Sequence, residues 1–413
     1  MLELIALLIT LTALLAYVNH RTLKLPTTIG VMSIALSLSF LMISLGELGF
    51  PGVERQVESI IREIDFGHVL MQGMLSFLLF AGALHVDLGS LASHRAPISV
   101  LATFGVITST LMIAGAAFVI FDLVGLDLPF IYCLLFGALI SPTDPIAVMG
   151  ILKSARAPKS LEIKIAGESL FNDGIAVVVF AVLMKIAVGA EPVSAGDVAI
   201  LFVEEAIGGV IFGLVTGYVA YQMLRSIDNY QVEILITLAL VMGGYALATR
   251  LHVSGPLAMV VAGLLIGNGG RAFAMSAQTR EHLDMFWELV DEILNAVLFL
   301  LIGLELVVLT FTRESILAAL LLIPVTLLAR FVAVGVPFTL MRRWVQFTPH
   351  AVKILTWGGL RGGISVALAL SLPSGPERGP ILAVTYVVVL FSIIVQGLSL
   401  GRVVRLVLGE RSA

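Results

Sequence analysis

Charge is what this sequence has least of. Asp, Glu, Lys and Arg make up 13% of its 413 residues, against 59% hydrophobic, where a soluble domain carries roughly 25% charged and about 45–50% apolar residues. That balance excludes an ordinary water-soluble protein. With a mean hydropathy of +1.07, it points to a polytopic chain whose solvent is the lipid bilayer. The net charge of −4 gives no sign of a nucleic-acid partner. A single cysteine, Cys133, rules out an internal disulfide. The seven histidines are scattered, with no pair at metal-ligand spacing, so no transition-metal site is expected. GxxxxGK[ST] is missing, so ATP does not drive the protein directly, and no cofactor is implied. No segment is long and polar enough for a separate soluble domain.

What is present is a succession of apolar runs. A window of about 20 residues gives about thirteen spans, at 2–18, 27–45, 68–90, 97–121, 129–152, 163–187, 197–224, 231–250, 255–268, 283–309, 315–341, 350–373 and 380–406. The window 255–268 is short, which leaves twelve and fourteen as alternatives. The first run lacks a basic start and a small-x-small cleavage pattern, so it is expected to be kept as a helix. The loop PGVERQVESIIREIDF (51–66) alternates charged and apolar residues at helical spacing and should lie along the interface.

Alternate connections carry most of the basic residues: Arg21 and Lys24, Arg95, Lys153 to Lys164, Arg225, Arg271 and Arg280, Arg342 to Lys353, and Arg402 to Arg411. The opposite set holds Arg55, Arg62, Lys185, Arg250, Arg313 and Arg378. The basic set should face the cytoplasm. An odd span count then puts the N-terminus outside and the C-terminus inside, in a cell's inner (plasma) membrane.

Few ionisable residues fall inside spans, and each costs ~2.5–3.5 kcal/mol on insertion scales, so such residues are functional by default and usually paired. They are Arg330 in LLARFVAVGV, Arg361 in WGGLRGGISVALAL, Asp144 in SPTDP, and Glu168 and Asp173 in AGESLFNDGIAVVVF. On a helix at about 100° per residue, Glu168, Ser169, Asn172 and Asp173 share one polar face, and IAVVVFAVL follows as a wholly apolar run. A polar helix–helix contact is the plainer reading of that face. Pro142 and Pro145 break the fifth span. Irregular backbone at depth is tolerated only inside protein or beside a cavity. Asp144 before Pro145 fits an N-cap before an N1 proline, and a capping carboxylate also lends its negative potential to a site. GGLRGGIS (358–365) is the glycine-rich counterpart in span 12. Paired broken spans are the sign of an inverted repeat with an ion site at the broken ends.

SPTDPIAV, GESLFNDG, the arginine of LLARF and WGGLRGGISVALAL, in this order, resemble the NhaP-type sodium/proton antiporters of the monovalent cation:proton antiporter-1 family. The likeness covers nearly the whole chain. It implies thirteen helices, a core bundle (about 97–187 and 315–406), and an interface domain (about 2–90 and 197–309) that forms a homodimer. It also implies elevator-like alternating access. By motif, Asp173 would be the main cation and proton carrier, with Asp144, Ser169 and the Thr143 backbone completing a Na+ site. Asn172 stands where electrogenic relatives place a second aspartate. Glu168 and Arg330 would be a structural ion pair, and Arg361 a further buried arginine. The chain ends just after its last span, so the long regulatory tail of animal exchangers is not expected.

The residue chemistry agrees, since sodium is a hard cation and these are oxygen donors. The expected function is exchange of Na+ for H+, with Li+ and K+ as alternatives, and not an enzymatic reaction. One titrating carboxylate beside an amide predicts electroneutral one-for-one exchange. An ion channel could use similar groups. An intramembrane aspartyl hydrolase would leave Arg330 and Arg361 without a role and lacks a GxGD motif. Asp87 is either an interfacial charge or a partner for Arg361. Glu305 reads as interfacial. Glu288, Asp291 and Glu292 either line a cation funnel or form a solvated helix start, and Asn295, one turn deeper, has no assigned role.

Overall fold

A backbone without water must satisfy its own N–H and C=O groups, and every apolar window of the sequence accordingly holds helix. The computed structural model describes residues 2–48, 73–89, 95–145, 148–149, 152, 159–189, 195–271, 274–342 and 350–408. The proposed interfacial helix at 51–66 lies outside them, as does the 153–158 stretch of the basic loop.

Helices α1 (Leu2–Arg21), α2 (Thr27–Glu47), α3 (Leu75–Leu84), α4 (Arg95–Val124), α5 (Phe130–Ile140) and α6 (Lys159–Val188) come first. They are followed by α7 (Ala195–Arg225), α8 (Tyr230–Arg250), α9 (Gly255–Leu265), α10 (Ala277–Glu305) and α11 (Arg313–Met341). The chain continues through α12 (Ala351–Trp357), α13 (Gly363–Leu370), α14 (Arg378–Phe391) and α15 (Leu398–Leu408). Among the described residues seven helices are long and apolar enough to cross a membrane. Side chains supply the starts: Asn229, Ser254 and Ser276 accept from the backbone N–H three residues on, and Thr312 and Ser315 form a reciprocal capping box.

Two packed groups result. In one, α4 lies against α5, α6 and α11, and α11 against α12 and α14. In the other, α9 packs on α3, α7 and α8, and α2 packs on α10. Helix α6 touches both, meeting α7 and α9 across its far side.

The short window at 255–268 is explained by α9, which is buried along almost its entire length and runs on into a π-helical turn, Ile266–Gly270. Gly209, Gly213 and Gly217 of α7 line up at four-residue spacing against Ser254, Ala258 and Ala262. A Cβ on Gly209 would come within 2.8 Å of the Ser254 carbonyl oxygen. This small-residue seam gives van der Waals packing where the hydrophobic effect is absent.

Both predicted breaks are there. Helix α5 stops at Ile140, residues 141–145 are non-helical, and the Met149 N–H donates to the Pro145 carbonyl at 2.7 Å, which starts the next turn. Helix α12 stops at Trp357 and α13 starts at Gly363. The two unwound stretches cross, and the Asp144 N–H donates to the Leu360 carbonyl at 2.8 Å. A second π-helical turn, Ser392–Gly397, props the crossing. Ser392 Oγ accepts from the Arg361 N–H at 2.8 Å, and Gln396 Nε2 donates to the Trp357 carbonyl at 3.0 Å.

Candidate functional site

Helix α6 distributes its polar face among three partners. Glu168, 1% exposed, takes both guanidinium nitrogens of Arg330 from α11: Nη2 donates to Oε2 at 2.8 Å, and Nη1 donates to Oε1. Arg330 Nε also donates to the Leu355 carbonyl at 3.3 Å, and the side chain lies across Gly359, where a Cβ would meet its Nε at 2.6 Å. The pair therefore ties α6 and α11 to the second break, and a bidentate carboxylate–arginine fork is the arrangement that makes two buried charges tolerable.

One turn on, Asn172 clamps the first break. Its Nδ2 donates to Thr143 Oγ1 at 2.8 Å and its Oδ1 accepts from the Thr143 N–H at 3.3 Å. Thr143 Oγ1 also lies 3.2 Å from Ser169 Oγ. Thr143, Ser169 and Asn172 are all buried, and they use much of their hydrogen-bonding capacity on one another. The expected ligand set thus divides: these three hold the unwound backbone, and the carboxylates face open space.

That space is a cavity of about 680 Å³. Asp144 and Asp173 line it together with Asp284, Glu288, Asp291 and Glu292 of α10, among a larger number of apolar side chains such as Leu78, Leu170 and Leu298. Asp173 is 6% exposed, and its Oδ1 has no hydrogen-bond partner among the described residues. An orphan carboxylate oxygen at that depth costs free energy unless a proton or cation completes it. Asp144 precedes the turn that begins at Pro145 and packs against Gly362, where any Cβ would overlap its carboxylate. It thereby sits at the N-terminus of α13, where the helix dipole favours negative charge.

Arg361, 3% exposed, caps the opposite kind of end. Its Nη1 donates to the Pro142 carbonyl at 2.9 Å and to the Ser141 carbonyl, both just past the C-terminus of α5. A cation there complements the half-helix dipole. Asp87 is not brought to it. It is exposed beyond the end of α3, accepts from the Gly89 N–H at 2.9 Å, and lines a different cavity with Arg271 and Arg280. Of the two readings of Asp87, the partnership with Arg361 is the one the geometry does not fit, because Arg361 Nη1 is taken by carbonyls and Asp87 lines another cavity. Glu305, the last residue of α10, is 8% exposed, and Lys164, read as a loop cation, is 1% exposed within α6. Sequence reasoning missed Ser365, whose buried Oγ faces the same cavity as Asp173 without a partner among the described residues. A serine three residues past the second break was the only signal.

A family model described as the transmembrane sodium/hydrogen exchanger matches residues 8–406. The chain belongs to that family. The Na(+)/H(+) antiporter NhaP of Pseudomonas aeruginosa is 58% identical over 409 residues, covering 98% of this chain and 96% of that one. The Na(+)/H(+) antiporter NhaH of Halobacillus dabanensis is 38% identical over 90% of this chain and 91% of its own length. The fold matches the sodium proton antiporter MjNhaP1 from Methanocaldococcus jannaschii with a TM-score of 0.76, at 20% identity and 98% coverage of both chains. The NhaP-type exchanger resemblance therefore stands, and with it a multi-pass membrane transporter rather than an enzyme.

Proposed function

We propose that this exchanger trades Na+ for H+ at Asp173, one for one, by alternating access. The observation that carries the reading is the Asp173 Oδ1, buried without a partner among the described residues in a largely apolar cavity that Asp144, Ser365 and the α10 carboxylates also line. Either passenger completes it, and the two exclude each other. Asp144 adds fixed negative potential from the α13 N-terminus, and Thr143, Ser169 and Asn172 supply neutral oxygens beside these carboxylates. Among the described residues no three His, Cys, Asp or Glu side chains cluster to hold a metal ion. Li+ and K+ are the competing cations to test.

Coupling follows from charge. Glu168 is offset by Arg330, and in this reading Asp144 keeps one fixed state throughout the cycle, so Asp173 sets the balance. Loaded with either passenger it is neutral; empty, it is one negative charge. Moving that charge through the apolar seam costs ~2.5–3.5 kcal/mol, which slows slippage of the empty carrier by roughly 10². In this reading the group around α4, α6, α11 and α14 (about 97–187 and 315–406) is the moving core, with two inverted repeats broken at spans 5 and 12. The helices of 2–90 and 197–309 are the stationary, dimer-forming part. Thirteen crossings put the N-terminus outside, with the acidic cavity open to the cytoplasm.

Sodium-driven proton flux in proteoliposomes is the direct measurement. Wild type should exchange at zero membrane potential, and Asp173→Asn should abolish exchange while remaining folded. Full activity in Asp173→Asn would remove the carrier. A rate rising steeply with clamped potential of either sign would remove the one-for-one assignment.

A further inference from the structure

Along α10, Asp284, Glu288, Asp291 and Asn295 recur at four- and three-residue intervals, so one helix face presents them to the cavity over ~16 Å. From Glu288 inward, exposure falls along that face. Glu288 is exposed, Asp291 half-buried, and Asn295 1% exposed. Asn295 Nδ2 donates to the Asp291 carbonyl at 2.8 Å and to Asp291 Oδ1 at 3.1 Å. This fixes the amide so that its Oδ1 is the free end, and that oxygen has no partner among the described residues. A buried carbonyl-type oxygen left open beside a carboxylate needs a donor or a cation. Across the cavity the core offers Asp144 and the unpartnered Ser365 Oγ.

We propose that Asp291 and Asn295 form a second cation station, holding a partly hydrated monovalent cation on α10 before it passes to Asp173. The station rests on the antiport reading and adds a place where part of the hydration shell is lost. Helix α10 is anchored away from the core: Trp287, fully buried, packs on Phe80 at 4.7 Å between ring centroids, and its Nε1 donates to Thr237 Oγ1 at 3.1 Å. The station therefore stays put while Asp173 moves. With one carboxylate and one amide oxygen, it binds weakly and sets the sodium concentration dependence rather than the maximum rate. The more exposed Glu288 and Glu292 raise the local cation concentration at its mouth.

The test is the sodium dependence of exchange in proteoliposomes at fixed pH and high choline chloride, which screens diffuse electrostatics. Asp291→Asn should raise the apparent KM for Na+ about five- to tenfold, with less change in the maximum rate. Asn295→Leu, which keeps the volume and removes the oxygen, should shift KM in the same direction. Asn295→Asp should lower KM, and this outcome keeps the proposal open to refutation if Asp291→Asn fails to fold. Glu292→Gln removes the same charge one residue away and should shift KM by less than about twofold under the screening salt. Equal shifts in Asp291→Asn and Glu292→Gln, or an unchanged KM in Asn295→Asp, would overturn the station. Loss of exchange in wild type would instead defeat the antiport reading, so the two failures are told apart.

Discussion

At the scale of single residues, Glu168 and Arg330 carry the clearest energetic consequence. Removing one partner of a buried pair leaves the other uncompensated, at about 3–5 kcal/mol. Glu168→Ala should therefore lower the melting temperature in detergent. The double variant Glu168→Ala/Arg330→Ala should recover part of the loss, though not all, because Arg330 also serves the Leu355 carbonyl. Strict additivity of the two single losses would argue against direct coupling. Asp144→Asn keeps the shape of the cap and deletes its charge, and is expected to weaken sodium affinity with some transport remaining. A folded but inactive Asp144→Asn would make that carboxylate an obligatory carrier. The charged residues were legible because an ion at bilayer depth stands out against 59% hydrophobic composition. Asn295 and Ser365 were not, since amides and hydroxyls are common helix-packing groups. Lys164 was misread because positive charge near a span end ordinarily marks a loop, whereas this one is folded back into α6.

At the scale of elements, the crossing of the two broken spans depends on glycine. Gly362 lies directly against the Asp144 carboxylate, so a methyl group there must displace the acid from the α13 N-terminus. Gly362→Ala should cost about 1–3 kcal/mol of stability by overpacking. It should also raise the apparent KM for Na+ and leave the distant α7–α9 seam intact. A Gly362→Ala variant with native sodium affinity would show that Asp144 does not act from that position. The prolines and the glycine run announced both breaks, and α9 was marked as unusual by its length. What the sequence could not supply was how the breaks meet. The pairing of Asp144 with Leu360, and of Arg361 with the carbonyls of Ser141 and Pro142, joins segments from opposite halves of the chain, and no local pattern encodes that register.

At the scale of the whole molecule, competition at one carboxylate shapes the response to pH. Protons displace sodium on the acid side, and scarce protons limit the return step on the alkaline side. The rate profile should be bell-shaped, with an acid limb that moves to lower pH as sodium rises, because more sodium is needed to hold off more protons. Measuring exchange against pH at several sodium concentrations tests this, and an acid limb that stays fixed would place the inhibiting protonation elsewhere. The all-helical membrane architecture itself was largely legible, since windows of hydropathy follow directly from bilayer thickness. The acidic cavity was legible only as one of two alternatives for Glu288, Asp291 and Glu292. A solvated helix start and a funnel wall have the same sequence, and only the packing of α10 beside α3 and α13 distinguishes them.

The link between Asp144 N–H and the Leu360 carbonyl also bears on timing. It is the stitch between the two unwound stretches, so any sliding of one against the other must break it and open that amide to isotope exchange. If both stretches travel together, deuterium should enter the Asp144 amide as slowly during sodium-driven turnover as at rest. The face of α6 against α7 and α9 should meanwhile change its labelling. Acceleration at Asp144 under turnover would mean that the crossing shears with each cycle, and that the passenger site is taken apart and rebuilt on every trip.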